Sequence, residues 1–432
     1  MIERLVSHRF RGIREGVLDD LGTINLLIGP NNSGKTAILE LLYLTGLSGR
    51  PCDLVMPDME PSAWPAKTLV PYDFLGYEPL PNLRARHGES KRWPESLAGI
   101  TVEHSLAVTL GEVSKGYPLH RFELAPPLDE PGRRRAFQEE DIERISLFRL
   151  EPLEDNLPPA PLIPPLFDER DIRLEEGAWH YLWEDPWVYK WDRREDIDHL
   201  AVWAVAGRMP DAGRVLLFDF HTTGSHFTKR FAQDAYGEVI GWEKKIARSL
   251  GRVFPALRDS EINVKPFRGE KWTGYVEQPG RKPMPIDHFG DGTRHAFKVL
   301  AGLIALCETV DEEHPGLFLW EDPELFMHPA TLGRLLDTVI SLVTEKPIQL
   351  FITTQSLEVL AWLVKYLDSA TEVLASQTRV FRLSLTDGTL STRMFVGRGI
   401  GSWFRLFGDP RLLGEDEMAS PLYYLLAGQE EA

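Results

Sequence analysis

Gly29-Pro-Asn-Asn-Ser-Gly-Lys-Thr36 is the most informative stretch of this sequence. It follows the apolar run Ile24-Asn-Leu-Leu-Ile28 and continues into Ala37-Ile-Leu-Glu-Leu-Leu42. A buried strand, then Gly-x4-Gly-Lys-Thr, then a helix is the context that a phosphate-binding loop requires. Its two glycines allow a tight turn that points several backbone N–H groups at phosphate oxygens. Because every fixed position is filled and both flanks fit, we favour this loop over an ordinary glycine-containing turn.

The side chains of this loop have predicted roles toward a nucleoside triphosphate. Lys35 is expected to reach the β- and γ-phosphates, and the Thr36 hydroxyl is expected to ligate Mg²⁺. The N–H groups at the start of the following helix suit an anion. The residues predicted to contact the nucleotide are Gly29, Asn31, Asn32, Ser33, Gly34, Lys35, Thr36 and Ala37.

Length and composition limit the class of protein. The 432 residues would hold two or three average domains, or one α/β core with large insertions. The formal net charge of −17 opposes sequence-independent binding of nucleic acid by the whole surface, although a local basic patch remains compatible with it. Cys52 and Cys307 are too few for a disulfide framework. Without a signal peptide or an apolar span, we expect a soluble, cytoplasmic protein that does not bind membranes.

A second apolar strand, Leu317-Phe-Leu-Trp320, ends in the acidic turn Glu321-Asp-Pro-Glu324. Parallel sheets bind ligands at the carboxyl ends of their strands, so these acids should lie beside the phosphate loop. Glu321 is predicted to hold Mg²⁺, and Asp322 to polarise the water that attacks the γ-phosphate. A third strand ends at about residue 353, and Gln355 just beyond it is positioned to sense the γ-phosphate.

Two glycines, Gly290 and Gly292, flank Asp291 at the predicted start of another helix. Such a helix start makes a second site for an anion. A single subunit has little use for two such sites, but a head-to-tail pair would apply this one to the triphosphate held by its partner. An ordinary glycine-containing turn is the alternative.

Hydrophobic periodicity predicts the remaining elements. Between residues 125 and 211 the composition is biased toward proline and tryptophan, which indicates an insertion on the core. Four tryptophans in it, Trp179, Trp183, Trp187 and Trp191, are spaced by four residues and would share one helical face. They would stack on bases or dock a partner. As we favour, they would instead form the small core of the insertion or pack the insertion onto the body of the protein. We predict strands near 100–110, 118–124, 215–220, 262–266 and 272–277, helices over about 227–253, 288–308 and 331–344, and a hairpin over 380–395.

The order of these motifs, with Phe10-Arg-Gly12 before the loop and His328-Pro329 after the acids, resembles a known group of ATPases. These are the ABC-type heads of the RecF, SMC and OLD (overcoming lysogenization defect) group, and more narrowly the stand-alone prokaryotic AAA-type ATPases related to OLD nucleases. The resemblance covers about residues 1–47 and 285–360. It implies an α/β P-loop NTPase fold, an ABC-type head with a mainly parallel sheet, an antiparallel β subdomain and a large irregular or helical insertion.

The resemblance also implies ATP and Mg²⁺ as cofactors and a homodimer with two composite ATP sites. In that arrangement Gly290, Asp291 and Gly292 act on the nucleotide of the partner. The predicted domains are residues 1–124, the N-terminal part of the head; 125–255, an insertion and helical arm; and 256–432, the C-terminal part of the head.

This sequence departs from the pattern of the group in four ways. Asp322 stands where the catalytic carboxylate is usually Glu, and being one methylene shorter it would position water less well. Gly290 replaces a serine of the signature, and Gln355 replaces a switch histidine, so that it cannot carry a proton. No sustained heptads are present for a coiled-coil arm. We therefore expect a slow, switch-like ATPase.

The nuclease half of OLD proteins would add a glutamate and an Asp-x-Asp pair after the head. Asp368, Glu372, Asp387 and Asp409 do not have that arrangement. The leading prediction is a Mg²⁺-dependent ATPase that dimerises around ATP and gates a separate effector, a nuclease in anti-phage defence or DNA maintenance. One alternative is a self-sufficient DNA-repair ATPase that loads on DNA as RecF does. A second alternative is a scaffold that binds ATP without hydrolysing it.

Overall fold

The computed structural model describes most of the predicted head. The described residues are 1–10, 12–47, 73–77, 108–113, 117–122, 128–129, 133–134, 201–207, 214–269, 271–407 and 409–411. The predictions for Cys52 and for the four regularly spaced tryptophans lie outside these residues, as does most of the predicted insertion. The domain boundaries at 124/125 and 255/256 remain predictions.

The described chain contains seventeen strands and nine α-helices. The strands are β1 (Ile2–Phe10), β2 (Ile13–Leu18), β3 (Ile24–Ile28), β4 (Val108–Val113), β5 (Tyr117–Phe122), β6 (Leu128–Asp129), β7 (Arg133–Arg134), β8 (Ala201–Gly207), β9 (Val215–Phe218), β10 (Phe227–Thr228), β11 (Glu261–Arg268), β12 (Lys271–Glu277), β13 (Met284–Pro285), β14 (Gly316–Glu321), β15 (Ile348–Thr354), β16 (Thr378–Thr386) and β17 (Thr389–Val396). The helices are α1 (Lys35–Leu47), α2 (Phe220–Gly224), α3 (Lys229–Glu238), α4 (Trp242–Val253), α5 (Asp291–Thr309), α6 (Pro329–Thr344), α7 (Leu357–Ser369), α8 (Glu372–Ser376) and α9 (Gly399–Phe407).

One eleven-stranded sheet organises the molecule, in the order β4-β5-β8-β1-β2-β17-β16-β3-β15-β14-β9. From β16 to β9 every neighbouring pair is parallel. From β4 to β2 every pair is antiparallel. The predicted α/β fold with a parallel sheet and an antiparallel region is therefore confirmed, and the two regions are halves of one continuous sheet. β8 and β9, from the predicted middle segment, belong to it.

The parallel strands are buried because helices cover both faces of this half. Every residue of β3 and β15 is buried, which explains why these strands are almost continuously apolar in sequence. On one face Leu27 and Phe351 share a core with Ile38 of α1. On the other face Leu26 and Ile352 share a core with α5, α6 and α7. The residues that follow these strands consequently lie at one edge of a rigid layer.

A smaller antiparallel sheet contains β10, β12, β11 and β13. It packs against α5, because the ring of Phe297 lies directly over Gly274 of β12. The single helix predicted over 227–253 is wrong. The chain forms β10, α3 and α4 there, since Gly241 has a left-handed backbone with φ of 69°. Thr228 ends β10 and caps α3, its hydroxyl accepting a hydrogen bond from Phe231 N at 3.1 Å.

Two predicted strands in the smaller sheet and the predicted hairpin are confirmed. β11 and β12 pair in antiparallel fashion, with Glu261 opposite Glu277. β16 and β17 are also antiparallel and are joined by the turn at Asp387 and Gly388. Both turn residues have positive φ, as a two-residue hairpin turn of this type requires. None of the helices in the described ranges combines the length and apolarity that a bilayer crossing needs.

Candidate nucleotide site

The phosphate loop joins β3 to α1 and has a backbone that few residues tolerate. Gly29 has φ of +147°, and a Cβ placed on it would lie 2.4 Å from the carbonyl oxygen of Leu383 on β16. Gly34 has φ of +92°. Asn32 has φ of 61°, a region in which asparagine is enriched several-fold among non-glycine residues. The backbone therefore requires the two glycines and favours the asparagine.

Lys35 lies inside this loop, with its side chain almost completely buried. Its Nζ donates hydrogen bonds to Gly29 O at 2.9 Å, Pro30 O at 2.8 Å and Ser33 Oγ at 3.4 Å. Burial lowers the pKa of Lys35, and the nearby charges of Asp322, Glu321 and Glu324 oppose that decrease. The ammonium group thus lies between the loop carbonyls and the acidic turn.

Thr36 and Glu321 are brought together as the parallel arrangement predicts. Thr36 Oγ1 donates a hydrogen bond to Glu321 Oε1 at 2.5 Å, although the residues are 285 positions apart. A hydroxyl and a carboxylate are hard oxygen ligands, which Mg²⁺ prefers. No group of three or more His, Cys, Asp or Glu side chains in the described part of the chain is placed to hold a metal. Mg²⁺ does not need one, since it commonly binds one or two carboxylates together with phosphates and water.

Beside this pair lies a buried oxygen that has no partner. Thr353 Oγ1 makes no hydrogen bond, and Thr353 is paired in register with Glu321 across β15 and β14. A buried hydroxyl without a partner is uncommon and indicates a missing ligand, ion or water. The donor set and this oxygen together fit a hydrated Mg²⁺.

Asp322 follows β14 in a left-handed conformation with φ of 45°. Its backbone N–H donates to Thr353 O at 3.0 Å, so the acidic turn is held against the end of β15. Among the nearby acids, Asp322 has the largest effect on Lys35: its negative charge raises the pKa of Lys35 more than the charge of Glu321 or Glu324 does. The predicted catalytic carboxylate therefore lies beside the predicted phosphate-binding lysine.

Glu324 is a residue to which the motif assigned no role. Its Oε1 accepts hydrogen bonds from Thr354 Oγ1 at 2.7 Å and from Gln355 N at 3.1 Å. Its Oε2 is buried and has no hydrogen-bond partner. Glu324 therefore ties the acidic turn to the end of β15. Its place two residues after Asp322 is the only sequence signal that would have indicated this contact.

Gln355 lies at the edge of the site with an exposed side chain. Its backbone is fixed, because its N–H donates to Glu324 and its carbonyl accepts a hydrogen bond from the Arg411 guanidinium. Ser356 then caps α7, with its Oγ accepting from Glu358 N at 3.1 Å. The position of residue 355 is thus well defined.

Gly290 and Gly292 lie at the start of α5, next to the segment that follows the acidic turn. A Cβ on Gly292 would lie 2.7 Å from Phe326 O, whereas a Cβ on Gly290 would meet nothing within 4 Å. Gly290 has φ of −61°, so the glycines form no left-handed nest, and any anion there would meet the end of a 19-residue helix. Asp291 pairs with Arg294 at 3.0 Å.

A parallel sheet with a phosphate loop after β3, acids after β14 and polar residues after β15 defines a P-loop ATPase head of the ABC type. The chain belongs to the family AAA_21, described as "AAA domain, putative AbiEii toxin, Type IV TA system", whose model matches residues 24–361. The matched region contains all the predicted site residues.

Short stretches of the chain are similar to DNA replication and repair protein RecF. The protein from Psychromonas ingrahamii is 50% identical over 46 residues, which is 11% of this chain and 13% of that protein. The protein from Vibrio campbellii is 47% identical over 45 residues, which is 10% of this chain and 13% of that protein. The chain thus matches a small part of the length of these relatives.

Solved SMC heads are similar over most of the chain. The SmcHead bound to the C-winged helix domain of ScpA is 11% identical, covering 91% of this chain and 97% of that one, with a TM-score of 0.44. The SMC head domain from Thermotoga maritima is 12% identical, covering 91% and 98%, with a TM-score of 0.35. Because these TM-scores are low, the fold class given above rests on the strand order and the phosphate loop.

Proposed function

We propose that this chain is a Mg²⁺-dependent ATPase, that two copies enclose ATP, and that the nucleotide state gates a separate effector protein. The observation that carries the proposal is the 2.5 Å contact between Thr36 and Glu321, with Lys35 held between the phosphate loop and the acids. Two strand ends that are distant in sequence thereby present a cation, a hydroxyl and carboxylates at one edge of the sheet.

Each of these residues has a distinct part in hydrolysis. The N–H groups of residues 29–35 hold the phosphates, and Lys35 exchanges its loop acceptors for phosphate oxygens. Thr36 and Glu321 hold Mg²⁺, which when bound neutralises charge on the β- and γ-phosphates. Asp322 accepts the proton of the attacking water or orients it. Gln355 senses the γ-phosphate through a side-chain hydrogen bond.

The second copy supplies Gly290, Asp291 and Gly292. Gly290 is exposed and has open space around it, so a phosphate of another subunit can approach the start of α5. Phe220 and Phe326 near this helix start are half exposed, and their ring centroids lie 6.0 Å apart. An exposed aromatic pair beside a helix start is suited to being covered by a partner.

A separate effector is proposed because three of the four acids considered for a nuclease site have other places in the structure. Glu372 pairs with Arg398, and Asp409 pairs with Arg411 at 2.5 Å. Asp387 forms the hairpin turn between β16 and β17. These carboxylates lie on separate elements, and among the described residues they do not gather into a metal site.

The purified chain tests the ATPase assignment directly. We expect Lys35→Ala to lose binding of a fluorescent ATP analogue and to stay monomeric with ATP. Asp322→Ala should bind ATP, persist as an ATP-bound dimer in light scattering, and hydrolyse about 10²- to 10⁴-fold more slowly. Hydrolysis by Asp322→Ala at the wild-type rate would show that the catalytic assignment is wrong. Co-expression with the neighbouring reading frame tests the effector, whose activity should follow the ATP-bound state.

The similarity to RecF supports a second candidate function, an ATPase that loads on DNA without a separate effector. In that case DNA should stimulate ATP hydrolysis by the purified chain, and the stimulation should fall steeply with salt. The net charge of −17 argues against it. A chain that binds ATP and releases no phosphate under any condition would instead be a scaffold held together by the nucleotide.

A further inference from the structure

Among the described residues of the eleven-stranded sheet, Thr353 stands out because its buried hydroxyl lacks a hydrogen-bond partner. Thr353 is only 1% exposed, and its Oγ1 has no hydrogen-bond partner. The neighbouring Thr354 hydroxyl donates to Glu324, and the Thr378 hydroxyl on β16 donates to Leu374 O at 2.9 Å. Valine has the same shape as threonine and suits a buried strand better. A partner that binds from outside the chain would account for a hydroxyl at this position.

The direction of Thr353 follows from the strand register. Thr353 is paired in register with Glu321 on β14 and with Leu27 on β3. Side chains alternate along a strand, and Leu27 and Phe351 both belong to the core between the sheet and α1. Thr353 therefore faces α1, on the side where Glu321 meets Thr36. Neighbouring strands lie about 4.8 Å apart, so the hydroxyl lies within one water of the Glu321 carboxylate.

We propose that Thr353 is a positioning residue whose hydroxyl hydrogen-bonds a water molecule in the coordination shell of Mg²⁺. The inference rests on the proposed function and adds to it a residue that the motifs do not include. Mg²⁺ keeps several of its waters when it binds to proteins, and those waters need partners. Thr36 and Glu321 supply two protein oxygens, and the water that faces β15 meets the Thr353 hydroxyl, which can accept or donate.

Two substitutions of Thr353 distinguish a hydrogen-bonding role of its hydroxyl from a packing role of its side chain. Thr353→Val keeps the shape and removes the hydroxyl, and Thr353→Ser keeps the hydroxyl. The matched control is Thr378→Val on β16, which β3 separates from β15, at the amino end of the parallel strands, where the hydroxyl has an intramolecular partner. Binding of a fluorescent, non-hydrolysable ATP analogue would be titrated in EDTA and over a Mg²⁺ series, and the Tm of the free protein recorded.

For Thr353→Val we expect an unchanged or higher Tm, because an unpaired buried hydroxyl is lost. The affinity of Thr353→Val for the ATP analogue in EDTA should equal that of wild type. The Mg²⁺ concentration that gives half of the maximal increase in analogue affinity should rise about 10- to 100-fold. Thr353→Ser should retain the wild-type Mg²⁺ response. Thr378→Val should lower the Tm and leave the Mg²⁺ response unchanged.

A wild-type Mg²⁺ response in Thr353→Val overturns the inference and leaves the proposed function intact. So does an equal loss of affinity with and without Mg²⁺ accompanied by a lower Tm, which would indicate packing. If wild type itself binds the analogue without any Mg²⁺ enhancement, the proposed metal site fails together with the inference. Thr353→Ala provides a second variant without the hydroxyl should the valine variant fail to fold, with the same expected Mg²⁺ shift.

Discussion

At the scale of single residues, the backbone explains why an aspartate occupies the proposed catalytic position. Asp322 has φ of 45°, which asparagine and aspartate adopt far more readily than other non-glycine residues. The acidic turn takes this conformation while its N–H bonds Thr353 O. Glutamate, which the resemblance leads one to expect, would be strained there. The shorter side chain is thus a consequence of the turn, with slower hydrolysis as its expected cost.

Two substitutions of Asp322 distinguish charge from backbone strain. Asp322→Asn keeps the backbone preference, so stability should change by less than about 0.5 kcal/mol while hydrolysis falls about 10²-fold or more. Asp322→Glu keeps the charge and should lower the free energy of unfolding by about 1–2 kcal/mol. Urea unfolding and a phosphate-release assay measure the two effects. A glutamate variant that is as stable as wild type and hydrolyses faster would refute this explanation.

His295 is a second residue whose environment is defined only by the fold. Its Nε2 accepts a hydrogen bond from Trp320 Nε1 at 3.1 Å, and an indole only donates. The proton is therefore on Nδ1, which donates to Thr223 Oγ1 at 2.7 Å. Burial lowers the pKa of His295 to about 4. This histidine is neutral and satisfied, and it fastens α5 to β14 and α2.

The lowered pKa of His295 predicts a pH dependence of stability. Between pH 6.5 and 4 the unfolded chain takes up a proton on this residue, and the folded chain does not. Its contribution is therefore complete above pH 6.5 and is lost as the pH falls toward 4, by about 3 kcal/mol. We expect the difference in unfolding free energy between wild type and His295→Gln to shrink over this range in urea titrations. A difference that is independent of pH would contradict the assignment.

At the scale of elements, the sequence predicts those whose pattern is local. Continuous apolar runs identified β3 and β14, and Asp387-Gly388 identified the hairpin. The break at Gly241 was missed because one glycine inside an amphipathic pattern is compatible with either a helix or a break. The contacts of Glu324 and the proposed role of Thr353 depend on the register between two strands, which no local pattern encodes.

The contact between the smaller sheet and α5 predicts that alanine substitutions of two glycines change stability in opposite directions. A Cβ on Gly274 of β12 would lie 2.3 Å from the buried ring of Phe297 on α5. Gly274→Ala should therefore cost about 1–3 kcal/mol by overpacking, and it should displace α5, which begins at Asp291. The control, Gly237→Ala on α3, meets no atom within 4 Å and should stabilise by up to about 1 kcal/mol.

Chemical unfolding and ATP-dependent dimerisation together measure the effect of these two variants. Gly274→Ala should weaken dimerisation as well as stability, because the start of α5 holds Gly290 and Gly292, which we propose face the partner. Equal stability of the two alanine variants would show that the smaller sheet does not restrain α5. Loss of stability without any change in dimerisation would show that the helix start is held independently of this contact.

At the scale of the whole molecule, the nucleotide site at the strand ends is built within one subunit, whereas the start of α5 faces outward. The carboxyl ends of β3, β14 and β15 gather the phosphate loop and the acids within one subunit. The start of α5 adjoins Phe326 just after the acids, yet Gly290 itself faces open space. A loop that is complete and a helix start that is unused by its own subunit together favour a composite site formed by two copies.

Mixing two inactive variants tests whether the site is composite. Gly290 has φ of −61°, and a Cβ placed on it would meet no atom within 4 Å, so Gly290→Asp should fold normally and bind ATP through its own intact loop. Its carboxylate would repel the phosphates of the partner's nucleotide, so this variant alone should neither dimerise with ATP nor hydrolyse it. Lys35→Ala alone should also be inactive, because it cannot bind ATP.

In a mixed dimer, the loop of the Gly290→Asp subunit faces the unaltered helix start of the Lys35→Ala subunit, which restores one composite site. We therefore expect the mixture to regain ATP hydrolysis that neither variant shows alone, and a mixed dimer to be detectable by differential labelling. Because each variant keeps the residue that the other lacks, recovery requires contribution from both subunits to one nucleotide. Continued inactivity of the mixture, or full activity of Gly290→Asp alone, would place the start of α5 outside the ATP site.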